Sequence, residues 1–264
     1  MSSDMRASGT VDPELHRSIV QVLVSEYERS PAPRNIEGVS PDVFACAWGF
    51  YAQINRFGRA SILLIDNGMG HETHVFVRVA LEHAILLHWI VERRDEGVAA
   101  VLASQSKRVG QTIKTAREAR MVLSPEVDRA MKATAVTERT NEVKALGQFK
   151  TVCQELGLLE LYFVYSVESG YVHPTVATIN SYLDSSGNPA TEPQRTISET
   201  NIAMLAYCLI WANRDLDTLT PGHPRADELD RLAQSVHAAP VLPPYRVVPP
   251  RPLPKKRGRK GRRR

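Results

Sequence analysis

Four side chains suited to acid–base or anion chemistry recur at short intervals: His71, His74, Arg78 and Glu82. Spaced three or four apart, they fall on one stripe of an α-helix, and the stripe continues into Ile85 and Trp89. Between them the segment is apolar nearly all round, through Val75, Phe76, Val77, Val79, Leu81, Leu86, Leu87 and Ile90. A helix apolar on every side must be largely surrounded, so Arg78 and Glu82 are expected to be partly buried and to pair across one turn. Removing one partner of a buried pair costs about 3–5 kcal/mol. The same pair on an exposed edge contributes only about 0.3–0.5 kcal/mol.

A second constellation is the run Tyr165-Ser166-Val167-Glu168-Ser169-Gly170-Tyr171-Val172-His173-Pro174. Ser169 and His173 share a face if this run is helical, while Gly170 and Pro174 equally mark a helix end. A hydroxyl and an imidazole beside an Arg–Glu pair suit proton transfer or anion binding. No carboxylate is placed by the sequence to orient His173, so a catalytic triad is not expected. The candidate polar cluster is therefore Arg78, Glu82, Ser169 and His173.

The run Arg78-Val79-Ala80-Leu81-Glu82, followed much later by Tyr165…Ser169-Gly170-Tyr171-Val172-His173-Pro174, resembles a bacterial all-helical family, domain of unknown function 5677. The resemblance covers roughly Val43 to Leu216. It implies an α-helical fold and a convergence of Arg78, Glu82, Ser169 and His173, and it implies no reaction. A second comparison is with RNA-cleaving helical bundles of the higher-eukaryote-and-prokaryote nucleotide-binding (HEPN) type, which use an Arg and a His four to six residues apart. Arg78 with His83 meets that spacing, as does Arg231 with His237. On an ideal helix, however, His83 points about 140° away from Arg78. Arg78 with His173 is the better chemical pair, though it is not that motif.

Other chemistry finds little support. His71-Glu72-Thr73-His74 lacks the spacing of a zinc-protease motif, and no segment matches a P-loop or dinucleotide fingerprint. No metal or cofactor is expected. Cys46, Cys153 and Cys208 are far apart in apolar helical contexts and read as core residues rather than a disulfide or zinc framework. Trp48, Trp89 and Trp211 likewise read as core.

The elements that must hold these residues are helices throughout. Asp12-Pro13 opens a first helix to about Arg29, with Leu15, Ile19, Val22, Leu23 and Tyr27 on one face. Ser40-Pro41-Asp42 repeats the cap-then-proline signal and opens a long helix ending near Gly68. Further helices are expected over His71–Arg94, Val98–Val122, from Pro125, over Glu199–Leu216 and from Pro224 to about Ala238. Gly147 and Gly157 divide the stretch up to about Ser169 into short helices, and residues 184–195 read as a surface loop. The fold class is all-α, a multi-helix bundle over residues 13–239. Residues 1–12 are expected to be unstructured, as is a Pro-rich linker and basic tail over 240–264.

The formal net charge of +4 averages two unlike parts. Residues 251–264 hold nine basic residues and no acid, leaving 24 Lys+Arg against 29 Asp+Glu elsewhere, so the body carries −5. Lys255, Lys256, Arg257, Arg259, Lys260, Arg262, Arg263 and Arg264 are expected to bind DNA or RNA through counterion release. Arg257-Gly258-Arg259 resembles the core of a minor-groove hook, with Lys260 where a proline is expected. The N-terminus has no apolar run, and Val75–Val91 is short and interrupted by charge, so a cytoplasmic location without membrane insertion is expected. Oligomeric state is left open. The leading expectation is a binding protein tethered to nucleic acid by its tail; the alternative is an RNase of bacterial stress or phage defence using Arg78 and a histidine.

Overall fold

A computed structural model describes residues 12–29, 38–122, 124–134, 149–193 and 198–245. Among them are nine α-helices and no β-strand: α1 (Pro13–Arg29), α2 (Pro41–Asp66), α3 (His74–Glu118), α4 (Pro125–Thr134), α5 (Phe149–Leu156), α6 (Leu159–Val172), α7 (Val176–Ser181), α8 (Ser198–Thr218) and α9 (Ala226–Ser235). A 3-10 turn, His71–Thr73, leads into α3.

Local chemistry accounts for several boundaries. Asp12 Oδ1 accepts from the backbone N–H groups of Glu14 and Leu15, satisfying two of the orphan donors of α1. Ser40 does the same for Val43 at the start of α2, with Pro41 in the first turn where no N–H is needed. The two helices expected over His71–Arg94 and Val98–Val122 are present, running together as α3 across a kink at Arg94, whose φ of 54° and ψ of −130° lie outside the helical range. Three residues later a Cβ on Gly97 would lie 3.1 Å from the Ile90 backbone, so the chain bends where only glycine fits closely.

α1, α2, α3 and α8 pack together around the main core, with α9 against α8. α3 is central: its Leu81, Ile85, Leu87, Trp89 and Ile90 are fully buried, against Leu23 of α1, Ile54 of α2 and Leu205, Leu209 and Ile210 of α8. At Gly58 three helices meet, since a Cβ there would lie 3.1 Å from both Leu209 and Val24. The apolar run within α3 is long and apolar enough to cross a membrane, and it is mostly buried by its neighbours. α5 and α6 pack on a further face of α3, and α7 packs on α6.

Two expectations are corrected. Val22 is exposed, and the buried face of α1 is instead His16, Ile19, Val20, Leu23 and Val24. The chain from Pro240 to Tyr245 is docked rather than free. Trp211 Nε1 donates to the Ala239 carbonyl at 2.8 Å, His88 Nε2 donates to the Pro243 carbonyl at 2.9 Å, and Leu242 is buried. Prolines lack an N–H but keep their carbonyls, so an extended strap can still be anchored by donors from the helices. The expected unstructured N-terminus (residues 1–11 of it) and the basic tail, including Lys255 to Arg264, lie outside the described residues.

Candidate functional site

The stripe on α3 faces α5 and α6. α6 runs antiparallel to α3, and four of its side chains that share one face, Tyr165, Glu168, Ser169 and Val172, follow the i, i+3, i+4, i+7 pattern. Successive turns of the two helices are joined by polar contacts. His74 Nδ1 lies 2.6 Å from Glu168 Oε2, and both side chains are buried. One turn on, Arg78 Nε donates to Ser169 Oγ at 2.9 Å, and Arg78 Nη2 donates to the Tyr165 hydroxyl at 2.6 Å. A turn further, Glu82 lies 3.9 Å from Arg78 Nη2. Burial, reinforced by the charge of Glu82, pushes the Cys153 thiol of α5 up to about 12. Trp89 Nε1 ends the series by donating to Glu155 of α5 at 3.2 Å.

The anchoring of Arg78 has a definite polarity. Ser169 Oγ gives its own proton to the Tyr165 carbonyl at 2.8 Å, leaving a lone pair for Arg78. The guanidinium carbon also stands 4.9 Å from the centroid of the Tyr165 ring. Among the described residues its hydrogen-bond acceptors are thus neutral hydroxyls, while the Glu82 carboxylate, at 3.9 Å, is in ion-pair reach but beyond hydrogen-bond distance. Among the described residues nothing bonds Nη1, and the side chain keeps 21% of its surface exposed. A guanidinium held in this way, with Glu82 as its ion-pair neighbour, keeps the Nη1 edge for a further acceptor.

His74 is the imidazole of the site. With Nδ1 committed to Glu168, its Nε2 is buried without a hydrogen-bond partner among the described residues. The ring stacks on Tyr171 at 4.3 Å and 11°, and the His71 ring meets it edge-on at 5.0 Å. Tyr171 also lines a polar cleft of about 800 Å³ shared with Asn180, Ser181 and Asp184. The Tyr171 ring thus touches the buried His74 and also lines this cleft.

Of the expected cluster, Arg78, Glu82 and Ser169 come together and His173 does not. His173 ends α6 with φ −95° and ψ 159° and is exposed; among the described residues its ring makes no hydrogen bond. The cause is Pro174, which excludes the helical conformation at the residue before it, so the chain leaves the helix before the imidazole can join the face of Ser169. The other histidine considered, His83, lies between Phe50 and Phe57 at 5.0 and 5.9 Å, and burial lowers its pKa to about 4. It takes no part in the Arg78 network. Glu168, Tyr165 and the role of His74 were missed. Their signal was present: His74 is on the stripe already identified, and Tyr165 and Glu168 lie four and one positions before Ser169. Among the described residues no three His, Cys, Asp or Glu side chains group to hold a metal.

The model of a family of unknown function, DUF5677, matches residues 44–190. No curated protein and no solved structure matches the chain. The match spans just over half of the sequence and takes in both sides of the seam, from His74, Arg78 and Glu82 to Tyr165, Glu168 and Ser169. The chain therefore belongs to the DUF5677 family.

Proposed function

We propose that this chain is a nucleic-acid-associated binding protein in which the basic tail supplies non-specific affinity and Arg78 receives a phosphate oxygen. One observation carries the reading: a partly buried guanidinium is fixed by two neutral hydroxyls, Ser169 and Tyr165, while its carboxylate neighbour stays at 3.9 Å. A purely structural arginine at this depth is neutralised by a close carboxylate, because burying net charge is costly. Here Glu82 is an ion-pair neighbour at 3.9 Å and not a hydrogen-bond partner, which leaves Nη1 for a further acceptor. The tail, with eight cations from Lys255 to Arg264, adds contacts to neighbouring phosphates.

The test is a salt titration of single-stranded RNA and duplex DNA binding by the full chain, a chain lacking residues 251–264, and Arg78→Gln. Loss of the tail is expected to abolish retention at low salt and to flatten the dependence on salt. Arg78→Gln is expected to weaken RNA binding about tenfold, the size of one charge-assisted contact. Unchanged retention without the tail overturns its half of the proposal, and unchanged affinity in Arg78→Gln overturns the other.

A second reading, RNA cleavage of the HEPN kind, draws on the unpartnered Nε2 of His74 behind its bond to Glu168. In it, His74 Nε2 takes the proton of a ribose 2′-hydroxyl, the 2′-oxygen attacks phosphorus to form a 2′,3′-cyclic phosphate, the P–O5′ bond breaks with the 5′-oxygen taking that proton from the imidazolium, and Arg78 stabilises the charge that builds on the phosphoryl oxygens. Nε2 is buried, so the rings packed on His74, Tyr171 and His71, must first move. Incubation with labelled RNA, comparing the parent chain with His74→Ala, Arg78→Ala and His173→Ala, decides it. No cleavage, or cleavage indifferent to His74 and Arg78, ends this reading.

A further inference from the structure

The strap over residues 240–245 is held by α8 at one end, through Trp211, and by α3 at the other, through a buried imidazole. His88 is 2% exposed, and both of its ring nitrogens face oxygens. Nδ1 lies 2.8 Å from Asp215 Oδ1 on α8, and Nε2 lies 2.9 Å from the Pro243 carbonyl. Filling both contacts takes two protons, one on Nε2 and one between Nδ1 and Asp215. The count is the same whether the inner proton is drawn on the ring or on the carboxyl, because it belongs to the pair. A neutral imidazole beside a carboxylate ion has one proton for two acceptors.

The partners decide which contact fails when one proton leaves for water. Asp215 is 3% exposed, and its Oδ2 has no hydrogen bond among the described residues. An ionised carboxylate in that setting keeps the remaining proton on Nδ1, the charge-assisted contact being the stronger one. Nε2 then turns a lone pair toward the oxygen of Pro243, and the two repel. That contact is only part-buried, so the carbonyl is open to water as a substitute donor.

The charged groups acting on the ring are Asp215 of α8 and Glu92 of its own helix, and both favour its protonated form against the opposing effect of burial. Glu92 also accepts from the Tyr245 N–H at 3.2 Å, and Arg93 stands 4.6 Å from the centroid of the Tyr245 ring. Upstream, the bond from Trp211 to the Ala239 carbonyl and the burial of Leu242 involve no titrating group.

We propose that His88 and Asp215 form a proton-dependent latch that holds residues 243–245 on α3 and, with them, the root of the basic tail. Latched, the tail leaves the body beside Arg93. Unlatched, it leaves from Leu242, and three further residues lengthen its tether by about 10 Å. The latch operates whatever the tail binds.

The experiment is limited chymotrypsin cleavage after Tyr245 in the full chain, from about pH 5.5 to about pH 8.5, on either side of the ordinary histidine value. Each rate is divided by that of a free peptide of residues 240–250 at the same pH, so that the protease's own pH dependence cancels. The ratio is expected to rise about tenfold with pH, the size of one lost hydrogen bond to a charged group, while circular dichroism shows the helices intact. In Asp215→Asn the rise is expected at lower pH, because the ring loses its anionic partner. In His88→Gln the ratio is expected to be flat. The parent titration needs no variant to fold. A ratio in the parent chain that is flat or falls with rising pH overturns the proposal, as does a folded His88→Gln chain that keeps the parent's pH dependence.

Discussion

His74 Nδ1 and Glu168 Oε2 lie 2.6 Å apart although the two residues are 94 positions apart in the chain, and neither has meaningful access to water. This contact ties α6 to α3 beside the turn on which Arg78 is held. Leaving the imidazole with no partner in an apolar setting is expensive, so Glu168→Ala is expected to destabilise the fold by about 3 kcal/mol. Urea unfolding of the two proteins measures the difference.

Ser169 and Tyr165 contribute one neutral acceptor each to the same guanidinium. Ser169→Ala and Tyr165→Phe are each expected to cost about 1 kcal/mol. Because Arg78 couples to both, the double change Arg78→Gln with Tyr165→Phe is expected to cost less than the sum of the two single changes, by about 1 kcal/mol. A double-mutant cycle in denaturant reads that coupling.

Burial lowers His83 to a pKa of about 4 between the rings of Phe50 and Phe57. Above the ordinary histidine value of about 6.5 the ring is neutral folded or unfolded, and it has no effect on pH dependence. As pH falls below that value the unfolded chain takes up a proton and the folded chain does not, so stability drops by about 1.4 kcal/mol per pH unit until about pH 4. His83→Phe is expected to remove this component, seen as a smaller difference in unfolding free energy between pH 7 and pH 5.

His88 behaves in the opposite sense. Burial disfavours its charge, but the hydrogen bond to Asp215 at 2.8 Å, the charge of that carboxylate, the Pro243 carbonyl and Glu92 together outweigh burial and raise its pKa. The sign follows: its contribution is complete below about pH 6.5 and is lost as pH rises through the raised folded value. Because Nε2 holds the Pro243 carbonyl, hydrogen exchange at Tyr245, whose N–H donates to Glu92, is expected to rise across that window. In His88→Phe the exchange is expected to be fast at every pH.

The all-helical class and most helix starts were legible because they rest on local rules. Ser40-Pro41 and Asp12-Pro13 announce their helices, and the stripe His74–Arg78–Glu82–Trp89 follows from periodicity alone. Which side chains meet it was less legible. Helical phase places Tyr165, Glu168 and Ser169 on one face, but nothing local says that this face lies on α3. His173 was drawn into the cluster by its spacing from Ser169, whereas Pro174 removes it from the helix. The strap over residues 240–245 was hidden for a related reason: proline content reports the lack of helix and not the carbonyls that Trp211 and His88 hold.

The most direct measurement is nitrogen-15 NMR of the Arg78 side chain, assigned by its loss in Arg78→Gln, while the full chain is titrated with a short single-stranded RNA. The account predicts saturable shifts of the Arg78 guanidinium signals, retained at a salt concentration that releases the tail and diminished in Tyr165→Phe. Arg78 signals that stay fixed while the RNA binds would contradict it, leaving the tail as the binding element and the α3–α6 seam as structure alone.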